Sequence, residues 1–306
     1  MDKKSDWAIK KSKIYDRLFD FVIYFILIVI MIITIYPFLN VVAISFNDSL
    51  DTIRGGVHIW PREFTLENYK EIFKYNNLVT GFINSTLRTV IGTILGVISA
   101  AMLGYVISRR DFQARNLFSK LLVITLYVSG GLIPSFMLMR HLGLINTFWV
   151  YIIPGIVNAF NVILVRSYID GLPYSLQESA KIDGANDFVI FLKIILPLCK
   201  PVLATVALFV AVGHWNNWFD TYLYNSMNEN LTTLQYELTK IMQNVTMGSN
   251  NPNAWRTATG EEVARMVSPE SIKMAVSVVT MVPILLVYPF VQKYFIKGMT
   301  LGAVKQ

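Results

Sequence analysis

The stretch ESAKIDGANDFVIFLKIILP, residues 178–197, places a polar segment in two parts inside a chain that is otherwise largely apolar. Three carboxylates and one lysine fall within its first ten residues, and Pro197 ends it. Gly184 lies between the two halves, and glycine permits the left-handed conformation that ends many helices. The pattern therefore predicts two short helices separated by a turn at Gly184.

Residues on both sides of that turn complete the predicted hairpin, which we place at 174–193. Pro173 and Ser175 favour the start of the first helix, and Asp187 lies near the positive N-terminal end of the second. A small, partly apolar face remains, made of Ala180, Ala185 and Phe188. Two interpretations stay open from the residues alone. The hairpin either inserts into a groove on another protein or is a solvated connection between two membrane spans.

The composition is that of a membrane protein. Of the 306 residues, 54% are hydrophobic and 15% are charged, and the mean hydropathy is +0.48, whereas a soluble domain carries about 25% charged residues. Backbone groups in lipid must hydrogen-bond internally, so long apolar runs predict helices. We expect an all-α membrane protein with six transmembrane helices: Phe19–Phe46, Leu78–Ser108, Leu117–Met139, Thr147–Ile169, Ile194–Leu223 and Ile272–Ile296.

Glycine and proline recur within these runs. The third run contains Gly130, Gly131 and Pro134, and the fourth contains Pro154 and Gly155. Such residues indicate either ordinary close packing or bends in the helices.

The charges in the connections orient the spans. Residues 1–17 hold six basic and three acidic side chains, and residues 109–120 hold four basic side chains and one acidic. The segments 46–77 and 224–270 carry more acidic than basic residues. Because basic connections stay in the cytoplasm, we expect both termini and the hairpin to be cytoplasmic in a multi-pass protein of the cell (plasma or inner) membrane. The expected division is a cytoplasmic segment 1–18, a six-helix domain 19–298 and a cytoplasmic tail 299–306.

The two external segments are long, and connections of that length are uncommon without a role. In the first, Thr65 can cap a short helix that ends at Phe73. In the second, a polar run at 248–260 follows a predicted helix with one apolar face, formed by Leu234, Leu238, Ile241 and Met242. We interpret both segments as docking surfaces, with an inert loop as the alternative.

Several function classes find no support in the residues. In a membrane protein a net charge such as the +7 of this chain usually reflects orientation. The sequence contains no basic run with interleaved aromatic residues that would predict nucleic-acid binding. The three histidines are far apart, and the single cysteine, Cys199, can form no internal disulfide. We find neither the spacing of a catalytic triad nor the G-x4-G-K-[ST] pattern of an ATP site. We therefore expect no catalytic residue, no metal and no cofactor bound by this chain.

The hairpin resembles the EAA signature of permease subunits of ABC importers, E-A-A-x-x-D-G-A-x5-F-x2-I-x-L-P. The chain differs at Ser179, where the family usually has alanine, and serine is small enough to fit. The matching positions are Glu178, Ala180, Asp183, Gly184, Ala185, Phe191, Ile194, Leu196 and Pro197. The resemblance implies a type I ABC importer transmembrane domain, in which this hairpin is the cytoplasmic coupling-helix element that docks on an ATPase.

Other segments extend the resemblance over nearly the whole chain. The ending GMTLGAVKQ is similar to the tail of the maltose permease MalG and its relatives. The segments HWNNWFD and PESIKMAVSVVTMVPILLVYPFVQKYFIKG are similar to carbohydrate permeases of the LplC/YtcP kind. The implied partners are a second homologous permease subunit, two cytoplasmic ATPase subunits that hold ATP and magnesium, an extracellular solute-binding protein (expected to be a lipoprotein), membrane lipid and a carbohydrate substrate.

The resemblance also assigns roles to residues. Glu178 is expected to pair with a basic group of the ATPase, and Gly184 to set the hairpin angle. The full set expected to couple to the ATPase is Glu178, Ser179, Ala180, Asp183, Gly184, Ala185 and Phe188. The tail residues expected near the ATPase dimer interface are Gly302, Ala303, Val304 and Lys305.

Polar residues inside membrane spans are costly and point to a function. The candidates for a substrate path that contacts sugar are Arg88, Asn84, Tyr127, Asn158, Asn161, Trp215, Asn216 and Asp220. For Arg88 the alternative is an internal ion pair or snorkelling, and tryptophan or tyrosine near an interface often only anchors a helix.

Three other functions stay open at this level. They are an ABC importer permease for a non-sugar solute, an ion-coupled secondary transporter and a membrane-embedded enzyme. The sequence has no inverted repeats or chains of buried acids, which argues against the secondary transporter. It has no candidate nucleophile, metal cluster or paired intramembrane carboxylates, which argues against the enzyme.

Overall fold

A computed structural model of the chain describes residues 3–73, 77–249 and 268–303. The regular elements in these ranges are helical, as expected for an all-α protein, and the strand-type pairing among them is limited to one isolated bridge between Asn47 and Phe64. The chain forms two compact units: Met1–Lys74 with Val245–Val279, and Tyr75–Asn244 with Thr280–Gln306.

The helices of the described ranges are numbered in chain order. In order they are α1 (Lys3–Ser45), α2 (Ser49–Ile53), α3 (Glu67–Phe73), α4 (Leu78–Ser108), α5 (Arg115–Tyr127), α6 (Leu132–His141), α7 (Ala159–Asp170), α8 (Ser175–Ile182), α9 (Asp187–Ile190), α10 (Leu196–Leu198), α11 (Lys200–Asn216), α12 (Phe219–Tyr224), α13 (Leu234–Ser249) and α14 (Pro269–Ala303). Short 3₁₀ turns at Phe148–Tyr151, Ile153–Gly155 and Glu229–Leu231 and a π-helical turn at Phe191–Ile195 complete the set.

In the first unit, the end of α1 is tied to the segment that follows it by buried asparagines. The Asn68 side-chain amide donates to the carbonyl oxygens of Ser45 and Asn47, each at 2.9 Å. The Asn47 side-chain oxygen accepts from the backbone N–H groups of Arg62 and Glu63. These bonds satisfy backbone groups that would be costly to bury unpaired. The segment that follows α1 is therefore held in a fixed conformation against the end of that helix.

The predicted short helix in this segment is confirmed. Helix α3 covers Glu67–Phe73, up to the last residue described in this range, and the Thr65 hydroxyl accepts from the Glu67 N–H at 3.2 Å. Asp51 lies nearby and accepts from the Asn47 amide, and this hydrogen bond together with the Arg62 guanidinium at 2.9 Å lowers the pKa of the Asp51 carboxyl.

In the second unit, glycines let other helices approach α4 closely. A Cβ on Gly104 would lie 2.9 Å from Val165 Cγ1 of α7 and 3.2 Å from the Arg166 backbone nitrogen. A Cβ on Gly96 would lie 3.3 Å from Val210 Cγ1 of α11. Small residues at helix contacts permit this approach. Helix α4 is therefore the centre of a packed core with α7 and α11, which includes Ala100, Val162, Val165 and Val206.

The long apolar runs do not all form straight helices. Within the described ranges, three helices are long and apolar enough to cross a membrane, and the number reaches six if each bent helix pair is counted as one span. Three of the six predicted runs, the third, fourth and fifth, form bent pairs of helices. These break between α5 and α6 by 119°, before α7 by 43°, and between α10 and α11 by 79°.

The breaks lie where backbone chemistry favours them. Gly131 precedes α6 with φ +84°, a left-handed conformation that glycine adopts without strain. Pro154 lies in the 3₁₀ turns before α7, and Pro201 follows the break that precedes α11. The interpretation of glycine and proline as bends is confirmed in the third and fourth runs.

The ends of the spans agree with the sequence in part. The boundaries of α4 match the predicted span. Helix α1 begins at Lys3, inside the predicted N-terminal segment, and α14 continues to Ala303, inside the predicted tail. Helical structure therefore extends beyond the apolar runs at both ends of the chain.

The close approach at Gly104 is testable. We expect Gly104→Ala to lower the stability of the purified protein by about 1–3 kcal/mol, because the added methyl group overlaps a fully buried valine. The measurement is the Tm in detergent. Gly213→Ala in α11 is the matched control, because a Cβ there meets no heavy atom within 4 Å. Equal Tm values for the two variants would contradict this packing.

Candidate coupling hairpin and membrane cavity

The hairpin forms as two helices around Gly184, as predicted. Helix α8 ends at Ile182 and is followed, after Asp183, by Gly184 at φ +81°. The Gly184 N–H donates to Lys181 O at 3.0 Å, and the Ala185 N–H donates to Ala180 O at 2.9 Å. This pair of bonds is the Schellman arrangement, which requires a left-handed residue at the glycine position. A Cβ on Gly184 would meet no atom within 4 Å. The requirement for glycine is therefore one of backbone conformation and not of space.

The second half of the hairpin is held by capping and burial. The Asn186 side chain accepts from the Val189 N–H at 2.9 Å and begins α9. Ile190 and Ile195 are fully buried, and the Phe191 ring lies 5.3 Å from the ring of Tyr105 on α4. The π-helical turn after α9 carries the chain from the hairpin towards α10. The hairpin is thus joined to the core of the second unit through an apolar root.

The predicted coupling residues point in two directions. Ala180 is buried, and Ala185 packs against the same core cluster, because the short side chains let α8 lie close to the helices behind it. The exposed set contains Glu178, Ser179, Asp183, Gly184 and Phe188. Of the predicted small apolar face, Ala180 and Ala185 therefore pack inward, and Phe188 is exposed.

Two large apolar side chains stand out on the free side of the hairpin. Ile182, which lies outside the signature positions, is 86% exposed, and Phe188 is 63% exposed. They lie on either side of the Gly184 turn. Ile182 directly precedes the signature residue Asp183. The exposure of the Ile182 side chain depends on the direction that the Schellman turn gives to the end of α8.

Charged side chains clamp the hairpin to the end of α4. The Arg109 guanidinium, at 6% exposure, donates to Asp111 through Nε at 2.8 Å and to Asp187 Oδ1 through Nη1. Lys181 Nζ lies 3.0 Å from Asp111 Oδ2. Hydrogen bonding to Arg109 holds the pKa of the Asp111 carboxyl well below its usual range, and the bond to Asp111 raises the pKa of Arg109 in spite of its burial.

An open cavity of about 600 Å³ lies in the second unit and is lined by both polar and apolar side chains; we call it the polar cavity. Four of the predicted substrate-path residues line it: Arg88, Asn158, Asn161 and Asp220. Four further polar side chains that the predicted set lacks also line it: Tyr151, His214, Asn217 and Tyr224. His214 and Asn217 belong to the HWNNWFD segment, whose polar residues were the sequence signal for a substrate path. Tyr151 lies at the cavity because of the 3₁₀ turn before α7.

Arg88 pairs internally, which was the alternative considered for it. It is 1% exposed, and its Nη2 donates to Asp220 Oδ2 at 2.7 Å while its Nη1 donates to Asn217 O at 3.1 Å. The guanidinium carbon lies 4.6 Å above the centre of the Tyr151 ring. The ion pair joins α4 to α12, and it leaves the positive charge of Arg88 compensated at the wall of the cavity.

The other predicted path residues lie elsewhere. Trp215 lines a separate apolar cavity of about 300 Å³ with Phe82, and its Nε1 donates to Thr280 O at 3.3 Å. Tyr127 is 84% exposed on the surface of the chain, and Asn216 is exposed at the end of α11. None of these three lines the polar cavity.

Asn84 anchors the connection between α12 and α13 instead. Its side-chain amide donates to Asn230 O and Thr232 O, each at 2.8 Å, and the neighbouring Ser85 hydroxyl accepts from the Leu234 N–H at 2.9 Å. A Cβ on Gly81 would lie 2.9 Å from the Leu234 backbone nitrogen, so the connection lies directly on α4. Residues 230–234 are therefore fixed to the opposite end of α4 from the hairpin.

The helix predicted after this connection is confirmed as α13. Its apolar face is buried at Leu234, Leu238 and Ile241, and Met242 is partly buried. Most of the polar run 248–260 lies outside the described residues, as do the tail residues Val304 and Lys305. Gly302 and Ala303 fall in the last turn of α14.

The chain matches the family model described as "Binding-protein-dependent transport system inner membrane component" over residues 7–301. That match covers almost the whole chain. The chain belongs to this family. It is therefore a permease component of a binding-protein-dependent transporter, and a membrane protein with several apolar helices.

Curated relatives of this permease are similar over most of their length. It is 37% identical to the polygalacturonan/rhamnogalacturonan transport system permease protein YtcP of Bacillus subtilis (strain 168), over 95% of this chain and 99% of the relative. It is 39% identical to protein LplC of the same organism, over 89% and 90%. It is 34% identical to the arabinooligosaccharides transport system permease protein AraQ of Halalkalibacterium halodurans, over 90% and 93%.

A solved structure has the same fold as this permease. A chain in the crystal structure of a bacterial ABC transporter involved in the import of the acidic polysaccharide alginate superimposes with a TM-score of 0.79. The two chains are 30% identical, and the match covers 92% of this chain and 98% of the other. The resemblance of the sequence to carbohydrate permeases of ABC importers is thereby confirmed.

The Arg88–Asp220 ion pair makes a prediction about the stability of the permease. Arg88→Met leaves a partly buried carboxylate without its partner, and we expect a loss of about 3–5 kcal/mol. The double variant Arg88→Met with Asp220→Leu removes both charges, and we expect it to be more stable than the single variant. Thermal unfolding of the three purified proteins measures this order, and a double variant less stable than Arg88→Met would contradict the pairing.

Proposed function

We propose that this permease forms half of the translocation path of an ATP-driven importer for a complex carbohydrate, an oligosaccharide or polysaccharide fragment. The names of the relatives support the substrate class, since YtcP is a permease for polygalacturonan or rhamnogalacturonan and AraQ is one for arabinooligosaccharides. In this proposal each bent helix pair crosses the membrane once. The chain then has six spans, with both termini and the hairpin in the cytoplasm.

The hairpin is the single observation that carries this function. It combines a fixed root with an exposed outer face of Glu178, Ile182 and Phe188, and a rigid helix with exposed apolar side chains suits insertion into a groove on another protein. In this proposal the groove belongs to a cytoplasmic ATPase subunit, and two such subunits hold ATP and magnesium. The tail residues Gly302, Ala303, Val304 and Lys305 lie near their interface.

The substrate path is proposed to run along the polar cavity. Sugars are bound through hydroxyl groups and through the apolar faces of their rings, and the cavity offers amide groups at Asn158 and Asn161 together with the rings of Tyr151 and Phe160. Asn158 also begins α7 by accepting from the Asn161 N–H at 3.1 Å. In this proposal a second, homologous permease closes the other side of the path.

The family description supports an external partner, because transport in this family depends on a binding protein. We propose that this partner is an extracellular solute-binding protein, tethered to the membrane as a lipoprotein. It would contact the external segments 46–77 and 224–270. The hydrogen bonds of Asn84 and Ser85 hold residues 230–234 of the second segment in place for that contact.

A charge reversal on the hairpin tests the docking. We expect Glu178→Arg to reduce uptake strongly and to release the ATPase during purification, because it places a positive charge where the proposal puts a basic group of the ATPase. Gln113→Arg is the matched control, since Gln113 is also exposed in the connection between α4 and α5. Normal uptake and a retained ATPase in Glu178→Arg would overturn the docking role.

Purification from native membranes tests the assembly and the substrate. We expect a tagged permease in mild detergent to bring with it a second permease, an ATPase and a binding protein. Uptake of labelled galacturonan and arabinan oligosaccharides into cells with and without the permease gene then tests the substrate class. Loss of uptake in the deletion supports a carbohydrate. Unchanged uptake of both, with uptake of a non-sugar solute lost, would overturn the carbohydrate assignment and leave an ABC permease for another solute.

A further inference from the structure

Arg109 occupies a position that neither the signature nor the proposed docking surface explains. It follows directly after α4, at the corner between the helix and the connection to α5. Its guanidinium uses all three nitrogens: Nε and Nη2 bind the two carboxylate oxygens of Asp111, and Nη1 binds Asp187 Oδ1. Nη1 also donates to the Tyr105 hydroxyl at 2.9 Å. An arginine fork that binds two carboxylates fixes geometry as well as charge.

The carboxylates bound by Arg109 belong to different elements. Asp111 lies in the connection after α4, and Asp187 is the first residue of α9 in the hairpin. Lys181, in the last turn of α8, joins the same cluster through Asp111 at 3.0 Å and Asp187 at 4.0 Å. The cluster therefore connects both helices of the hairpin to the end of α4. Its centre, Arg109, is buried, while the carboxylates around it are more exposed.

Helix α4 extends from this cluster to the polar cavity and the external connection. Its other end carries Asn84, which holds residues 230–234, and Arg88, which pairs with Asp220 in the cavity wall. An α-helix rises about 1.5 Å per residue, so Arg88 and Arg109 are about 31 Å apart along the axis. A continuous helix of this kind transmits a displacement of one end to the other as a rigid element.

We propose that Arg109 is a positioning residue of the transport cycle, which makes the hairpin and α4 move as one body. It binds no nucleotide and no sugar. Through Asp187 and Asp111 it fixes the hairpin to the helix whose far end lines the cavity, so that movement of the hairpin reaches the path. This inference rests on the proposed ATPase-docking function of the hairpin.

Spin-label distances test the clamp without knowledge of the sugar. Labels are attached to the variants Val106→Cys on α4 and Ser175→Cys on α8, both exposed sites, in a Cys199→Ala background within the complete transporter complex. With Arg109 present, we expect the same narrow distance in the nucleotide-free complex and in the complex trapped with Mg-ATP and vanadate. In Arg109→Gln we expect a broadened distribution that differs between the two states. Identical narrow distances in the variant would overturn the inference.

Matched variants separate positioning from a merely structural role. Lys120→Gln removes a charge from the same basic segment, where Lys120 is exposed and makes no ion pair in the part of the chain that the structure describes. We expect the spin-label distances in Lys120→Gln to match those of the wild type. Asp187→Asn is expected to broaden the distance as Arg109→Gln does, and the double variant is expected to add little, because both remove one interaction. Additive effects of the two substitutions on the spin-label distance would overturn the proposed link between Arg109 and Asp187.

Transport per ATP hydrolysed provides the functional readout, with the galacturonan and arabinan oligosaccharides as probes. We expect a loss of about fivefold or more in Arg109→Gln, with the ATPase still copurifying, and a partial recovery in Arg109→Lys, which keeps the charge but not the fork. If Glu178→Arg keeps its ATPase and its uptake, the docking proposal fails, whatever the distances show. If Glu178→Arg loses both, while Arg109→Gln keeps normal transport per ATP hydrolysed, then only the role proposed for Arg109 is wrong.

Discussion

The close approach of other helices to α4 is the constraint on which the second unit depends. Glycines at 81, 92, 96 and 104 leave the surface of α4 without side chains at the points where Leu234, His214, Val210 and Val165 lie against it. Dispersion contacts between helices grow as their backbones come closer, and in lipid they are a main source of association. The connection between α12 and α13, the cavity wall and the root of the hairpin are all positioned by this one helix.

Two buried arginines on α4 and at its C-terminal end have carboxylate partners. Arg88, in the first half of the helix, pairs with Asp220, and Arg109 pairs with Asp111 and Asp187 at the hairpin. Both pairings matter because a charge buried without its partner destabilises a protein by about 3–5 kcal/mol. The two clusters differ in what they join. One holds helices around a cavity, and the other holds a surface element whose outer side is free.

Much of the local structure could be predicted from the residues. The boundaries of α4, the turn at Gly184, the cap at Thr65 and the buried face of α13 each follow from patterns within a few residues, where period, capping and glycine conformation are decided. Whether the third, fourth and fifth apolar runs form straight or bent helices could not be predicted in this way. Their glycines and prolines permit bends of any size, and the angles of 119°, 43° and 79° depend on the neighbours each half packs against.

The sequence by itself determined the class of the protein, its apolar spans and the hairpin, because hydropathy and the glycine turn are local properties that no tertiary contact reverses. It also singled out Arg88 and Asp220 as polar residues in apolar surroundings. Only the tertiary structure decided that these two form an ion pair, since they are 132 positions apart in the chain. The same holds for Asn84 as a loop anchor and for Arg109 as the link to Asp187. Whether a polar side chain binds a partner inside the chain or a ligand depends on which distant segment reaches it, and that is settled by the packing of α4, α7 and α11.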